Sequence, residues 1–282
     1  MMNILLTGAT GFIGRHIYKA LKFNGFSVTP MSRHQGYDAN RMLQAESWLP
    51  LLHGVDCVIN AMGIIHETGR QSFERIHTQA PIALFDACRQ RSVKRVIQIS
   101  ALGADKDAST PFLLSKKLAD DALRGFDIDW FVLRPSLVYG EGGESSAMLR
   151  KLAALPLIPV IGQGEQMLQP VAINDLVETV IQCIDSPKTR RTLDVVGPVP
   201  VRYIDWLQLM RQQMGKSPAP MLKIPFQCAL AIAGFARYLS PLLQPDNLRM
   251  LQQGNTADAR PLSHFMGHMP QALEEHNDLS HS

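Results

Sequence analysis

The 282-residue sequence is short of charge and of cysteine. Charged residues make up 19% of the chain, below the ~25% usual in soluble domains. With 46% hydrophobic residues, this balance excludes a disordered or fibrous chain. Lys plus Arg number 28 against 25 Asp plus Glu, a net +3, too little for the basic stripe a nucleic-acid binder needs. The four cysteines, Cys57, Cys88, Cys183 and Cys228, stand too far apart for a metal knuckle or a redox pair. Each lies in an apolar run, so reduced, buried thiols in a cytoplasmic protein are expected. The nine histidines show no metal-ligand spacing, and His264, His268, His276 and His281 fall in a polar tail where solvent contact is expected. No Ser/His/Asp nucleophile arrangement stands out. No apolar run reaches the ~20 residues of a membrane span. The opening MMNILLTGATG lacks a basic n-region and a long apolar stretch, so no signal peptide is expected.

What is present is alternation. Short apolar runs that read as strands are Asn3–Thr7, Ser27–Met31, Val55–Ala61, Arg95–Ser100, Asp129–Arg134 and Leu193–Val196. Helical patterns lie between them. The first carries Ile13, Ile17 and Leu21 on one face, and others cover about Phe73–Arg91, Leu114–Leu123, Asn174–Ile184 and Tyr203–Met214. Pro81 should kink or break the helix it falls in. Strands with little polar alternation fit a sheet covered on both faces. The order predicts an α/β fold, a doubly wound parallel sheet of Rossmann type. Past about residue 197 prolines multiply and a smaller, mainly helical C-terminal lobe is expected. The expected division is 1–196 for the parallel-sheet domain, with 141–170 partly in the second lobe, and 197–282 for the C-terminal lobe.

Thr7-Gly8-Ala9-Thr10-Gly11-Phe12-Ile13-Gly14 directly follows the first strand and opens the first helix. The unpaired amides and partial positive charge of a helix start suit a pyrophosphate. Gly8 permits the tight turn, Gly11 lets backbone approach the phosphates, and Gly14 allows close helix–strand packing. The strand before and the helix after are what turns three glycines into a dinucleotide motif.

TGATGFIG resembles the short-chain dehydrogenase/reductase superfamily in its extended and atypical branches. The resemblance continues through Gly54-Val55-Asp56-Cys57-Val58-Ile59-Asn60-Ala61-Met62-Gly63, Ser100-Ala101-Leu102-Gly103-Ala104, Arg134-Pro135-Ser136-Leu137-Val138-Tyr139-Gly140 and Gln169-Pro170-Val171-Ala172-Ile173-Asn174-Asp175-Leu176. It covers roughly residues 1–185. The nearest subgroup is the NAD(P)-dependent epimerase/dehydratase-like one that includes the nucleotide-binding accessory subunit of respiratory complex I and its bacterial relatives. The resemblance implies that Gly8, Thr10, Gly11, Phe12, Ile13, Gly14, Ala61, Met62, Gly63, Ser100, Pro135 and Val138 contact a dinucleotide. It places Asp38 beside the adenine.

An NAD site usually carries a carboxylate about 20 residues past the glycines, to accept from the ribose 2′-hydroxyl. Here the second strand ends Met31-Ser32-Arg33-His34. Arg33, with Arg15 assisting, suits a 2′-phosphate, so NADP is expected over NAD, with NAD still possible.

The superfamily's chemistry rests on Tyr-x-x-x-Lys. The matching segment is Phe112-Leu113-Leu114-Ser115-Lys116-Lys117. Lys116 fits the lysine that holds the nicotinamide ribose, and Phe112 stands at the tyrosine. Phenylalanine exchanges no proton, which puts ordinary acid–base catalysis in doubt. Two functions stay open: an NADP-dependent oxidoreductase on an unidentified, possibly apolar substrate, and a non-catalytic NADP(H)-binding protein with an assembly or regulatory role.

Residues 201–252 hold six basic residues and two acidic ones, a larger excess than the whole chain's +3. Within them the run 226–239, FQCALAIAGFARYL, reads either as a core helix or as an interfacial helix meeting anionic lipid. Peripheral contact with the inner membrane or a protein complex through 226–239 is therefore one expectation.

Overall fold

The computed structural model describes residues 2–236 and 245–273. The chain forms two compact units. One holds the residues up to Pro135 with Leu176–Asp194, the other Ser136–Asp175 and the chain from Val195 onward.

The first unit begins with β1 (Asn3–Thr7), α1 (Phe12–Phe23), β2 (Ser27–Met31) and β3 (Cys57–Asn60). It continues through α2 (Ala80–Gln90), β4 (Arg95–Ile99), α3 (Pro111–Arg124) and β5 (Asp129–Pro135). Strands β2, β1, β3, β4 and β5 pair in parallel in that order. The chain builds outward from β1 to β2, then returns to the other side of β1 for β3. That reversal opens a crevice at the carboxyl ends of β1 and β3, where doubly wound sheets bind their ligands.

Each element has a local cause. In α1, Ile17 and Leu21 point at the sheet and are fully buried, each worth ~1.5–3 kcal/mol over exposure. Thr110 caps α3 by accepting from Leu113 N–H at 3.3 Å, and Pro111 occupies the first turn, where no N–H is needed. The helix expected over Phe73–Arg91 is instead two segments. Glu74–Gln79 forms a wide π-helical turn, and α2 follows with Pro81 in its first turn. Pro81 has no N–H to give the His77 carbonyl, and the widened turn absorbs that missing bond.

The chain then enters the second unit with β6 (Val138–Tyr139), α4 (Glu144–Ala153), β7 (Ile158–Ile161), β8 (Met167–Leu168) and β9 (Val171–Ala172). Helix α5 (Ile173–Asp185) leads back, and β10 (Arg191–Val195) takes the sheet position beyond β5, completing six strands. The remaining elements are β11 (Val201–Arg202), α6 (Tyr203–Gln213), β12 (Met221–Ile224), α7 (Phe226–Ala236), α8 (Pro245–Gln253) and α9 (Arg260–Met266). Three short strand pairs, β8–β11, β7–β12 and β6–β9, join the helices of this unit, strands too brief to show a period in sequence. A core of Tyr139, Leu149, Ile158, Trp206 and Leu207 holds it.

Cys57, Cys88 and Cys183 are buried as expected, whereas Cys228, on α7, is exposed. The apolar run 226–239 is helical as far as Ala236, and residues 237–239 lie outside the described residues, as do His276 and His281. His264 and His268 are exposed. No helix among the described residues is long and apolar enough to cross a membrane, and no group of metal-ligating side chains occurs among them.

Candidate functional site

The glycine turn is shaped by contacts that leave no room for side chains. Gly8 has φ +66°, and a Cβ there would lie 2.4 Å from the Ala61 carbonyl oxygen. A Cβ on Gly14 would lie 2.1 Å from the Gly8 carbonyl oxygen, and Gly11 donates its N–H to that same oxygen at 3.0 Å. The turn after β1 and the Ala61-Met62-Gly63 loop after β3 are thus pressed together at the switch point. Helix α1 begins there with Gly11 as its cap, no side chain satisfying its first amides, and no acid in its first turn. This is the donor arrangement a diphosphate requires.

Beneath the turn runs a buried polar ladder across three strands. Thr7 Oγ1 donates to Asn60 Oδ1 at 2.6 Å, and Asn60 Nδ2 donates to Gln98 Oε1 at 2.6 Å. Asn60 Oδ1 also accepts from the Met62 amide at 3.3 Å, so one side chain sets the path of the loop after β3.

Lys116 is buried on α3. Its Nζ donates to the carbonyls of Met62 at 3.1 Å and Ile99 at 3.2 Å. An ammonium has three donors, so one is left for a ligand. A Cβ on Gly63 would stand 3.4 Å from this nitrogen. Burial pushes the Lys116 ammonium below its usual range, opposed by the Asp120 carboxylate one turn along. Burial pushes the Asp120 carboxyl up, while a bond from Ser100 Oγ to Oδ2 pulls it down. The other oxygen of Asp120 is buried without a hydrogen-bond partner.

The tyrosine position is filled by hydrocarbon. The Phe112 ring meets Phe73 edge-on with centroids 5.7 Å apart, and His77 edge-on at 5.3 Å. His77 stacks on Phe73 at 5.2 Å. Its Nε2 accepts the Ile64 N–H at 3.0 Å, so that nitrogen carries no proton. The proton therefore sits on Nδ1, 3.0 Å from Ser115 Oγ, whose own proton goes to the Phe112 carbonyl at 2.7 Å. Burial, with the nearby Lys116 charge, holds the His77 pKa well below the usual 6.5.

The sequence-selected residues fall into groups. Gly8, Thr10, Gly11, Phe12, Ile13, Gly14, Ala61, Met62, Gly63, Ser100, Lys116 and Pro135 cluster at the carboxyl ends of β1, β3, β4 and β5. Ser100 turns its hydroxyl inward to Asp120. Arg33 is exposed just past β2, with Nη1 3.3 Å from Gln71 Oε1. Arg15 lies over the Phe12 ring at 5.5 Å. The Asp38 side chain accepts from Asn40 N–H at 3.1 Å and faces Arg41 at 3.7 Å. Val138 belongs to the second unit, beside Val171. Tyr139, in the second unit, is buried against Trp206, and Glu67 accepts from Phe73 N–H at 2.8 Å. Sequence reading missed His77, Asp120 and Asn60. The i,i+4 step from Lys116 to Asp120 was a usable signal; nothing local marked His77.

Residues 4–196 match the NAD dependent epimerase/dehydratase family, and the chain belongs to it. Among curated relatives, it is 26% identical to the ceramide reductase of Caulobacter vibrioides over 79% of this chain and 73% of that protein. It is 26% identical to NADH dehydrogenase [ubiquinone] 1 alpha subcomplex subunit 9 of Arabidopsis thaliana, a mitochondrial protein, over 80% of this chain and 61% of the subunit's length. Among solved structures, the fold resembles UDP-glucuronic acid 4-epimerase from Bacillus cereus, solved with UDP-glucuronic acid and NAD (TM-score 0.73, 18% identity, 98% of this chain and 97% of that one). It also resembles a nucleoside-diphosphate-sugar epimerase from Staphylococcus aureus (TM-score 0.77, 18% identity, 98% and 99%).

Proposed function

We propose that the first unit binds NADP(H) and acts as an oxidoreductase toward an apolar carbonyl compound. The observation that carries the cofactor is the glycine turn pressed against Ala61, with its uncapped helix start and Lys116 behind it. The bound dinucleotide would supply the hydride. Gly8, Gly11 and Gly14 would give the diphosphate access to backbone amides, Lys116 would hold the ribose, and Arg33 would meet a 2′-phosphate. Ala61, Met62, Gly63, Ser100 and Pro135 would line the dinucleotide, with Asp38 on the adenine side. Burial lowers the Lys116 pKa, so its ammonium or a water it holds can yield the proton that Phe112 cannot. Similarity to a ceramide reductase supports an apolar substrate. Three buried free thiols support a reducing cytoplasm as the location.

Phe112 favours a second reading: dinucleotide binding without turnover, in the service of assembly or regulation. Likeness to a complex I subunit supports that reading and a contact through 226–239. Purified protein, titrated with NADPH and then assayed against a carbonyl and quinone panel, separates the two. Oxidation of NADPH by any acceptor supports the first. Tight binding with no turnover in the wild type, and turnover in Phe112→Tyr, supports the second. No binding of either nicotinamide would sink both.

A further inference from the structure

Lys116 and Asp120 stand one turn apart on the buried face of α3, 5% and 0% exposed. Residues four apart share a helix face. Both hold the end of β4. The Lys116 ammonium donates to the Ile99 carbonyl, and the next residue, Ser100, donates its hydroxyl to Asp120 Oδ2. The Ser100 N–H donates to the Leu133 carbonyl at 2.7 Å, which ties the same strand end to β5. Lys116 and Ser100 both belong to the proposed dinucleotide site, and Asp120 reaches that site through them.

A buried carboxylate is costly unless donors or a cation compensate it. Ser100 supplies one hydrogen bond, and Oδ1 has none. The remaining compensation is charge acting through space. Three cations act on Asp120: Lys116, Arg124 and Arg134. Arg124 is already bonded to Asp121 at 2.6 Å and to Thr192 at 3.1 Å. Arg134 is paired with Asp194 at 2.6 Å and Asp105 at 3.6 Å. Lys116 is bonded to carbonyls alone, and Asp120 is the carboxylate whose charge reaches it. His77 faces Lys116 from the π-helical turn. Its Nε2 accepts the Ile64 N–H and its pKa is held low, so it adds no counter-charge.

We propose that Asp120 is a positioning residue of the dinucleotide site: its carboxylate keeps the Lys116 ammonium charged and, through Ser100, fixes the strand end that the ammonium grips. The inference rests on Lys116 being the group that holds the ribose. A charged ammonium has three donors, two for the Met62 and Ile99 carbonyls and one for the ribose. A neutral amine has two, and the carbonyls take both. Burial pushes the Lys116 pKa down to about 8, and Asp120 opposes that push. Without the carboxylate, the third donor should be lost at a lower pH.

The test is NADPH titration of Asp120→Asn and Asp120→Ala from pH 6 to pH 8.5, with Lys116→Met as the reference. Lys116→Met should bind weakly at every pH. The gap between each Asp120 variant and the wild type should widen with pH, from within about twofold at pH 6 to roughly fivefold at pH 8, as a midpoint about one pH unit lower requires. Loss of a merely structural contact would weaken binding by the same factor throughout. Carbon-13 at lysine Cε gives a second readout without a ligand. The resonance missing from Lys116→Met should be that of an ammonium at pH 7 in the wild type, and it should titrate at lower pH in the Asp120 variants. A gap that does not change with pH, no gap at all, or a neutral Lys116 at pH 7 in the wild type would overturn the role of Asp120. Binding by Lys116→Met as tight as in the wild type would instead remove Lys116 from the ribose, and this inference with it.

Discussion

A side chain at Gly8 would collide with the backbone of Ala61: a Cβ there would lie 2.4 Å from that residue's carbonyl oxygen. The two residues directly follow β1 and β3 at the switch point, so neither backbone can yield without disturbing the strands. Gly8 also sits at φ +66°, where an L side chain costs about 1–2 kcal/mol before any clash. Gly8→Ala should therefore lower the melting temperature by several degrees and remove NADPH binding. A variant that binds normally would refute the assignment of this turn.

Arg33 bears on the choice of nicotinamide. It is exposed at the end of β2, where no carboxylate stands to take a ribose 2′-hydroxyl. Arg33→Ala should weaken NADPH by roughly 10- to 150-fold, the ~1.5–3 kcal/mol scale of a hydrogen bond to a charged group, and leave NADH nearly unchanged. Equal losses for both nucleotides in fluorescence titrations would argue against an NADP site.

Asn60 joins three strands and the Met62 loop through one amide. Asn60→Leu keeps the branching at Cγ but strands the Thr7 hydroxyl and the Gln98 amide in the core. Each unsatisfied group costs about 1–3 kcal/mol. Urea unfolding should show a loss of ~2–5 kcal/mol, larger than an ordinary core substitution that leaves no polar group unpaired. A loss under ~1 kcal/mol would mean the ladder contributes little.

His77 links stability to pH. In the unfolded chain it takes up a proton near pH 6.5; in the fold its pKa lies well below that, because burial and Lys116 oppose the charge. Below pH 6.5 the unfolded state thus binds more protons, and stability falls as pH falls toward the folded value. His77→Gln can still accept from Ile64 and donate to Ser115 without titrating. Melting curves from pH 7 down to pH 5 should slope less steeply in this variant, and an unchanged slope would assign the acid sensitivity to other groups.

Much of the scaffold was legible because its signals are local. Strand runs such as Arg95–Ile99 are apolar without alternation, as both-face burial demands, and the first and fifth strands fall within one residue of expectation. The glycines of the turn are visible in sequence because only a missing Cβ satisfies the backbone there. The exposed thiol of Cys228 and the short strands of the second unit were not legible. An apolar run such as 226–236 and a strand two residues long leave no period to read.

The sequence alone determined a parallel α/β scaffold, a glycine turn after the first strand, a lysine on the third helix and a phenylalanine where acid–base chemistry wants tyrosine. Tertiary structure decided what those residues face. Lys116 and Met62 are 54 positions apart and bonded, His77 and Ser115 are 38 apart and bonded. Only the closing of crossovers over the sheet brings such pairs together, and only burial then moves the Lys116, Asp120 and His77 protonation equilibria away from their values in water.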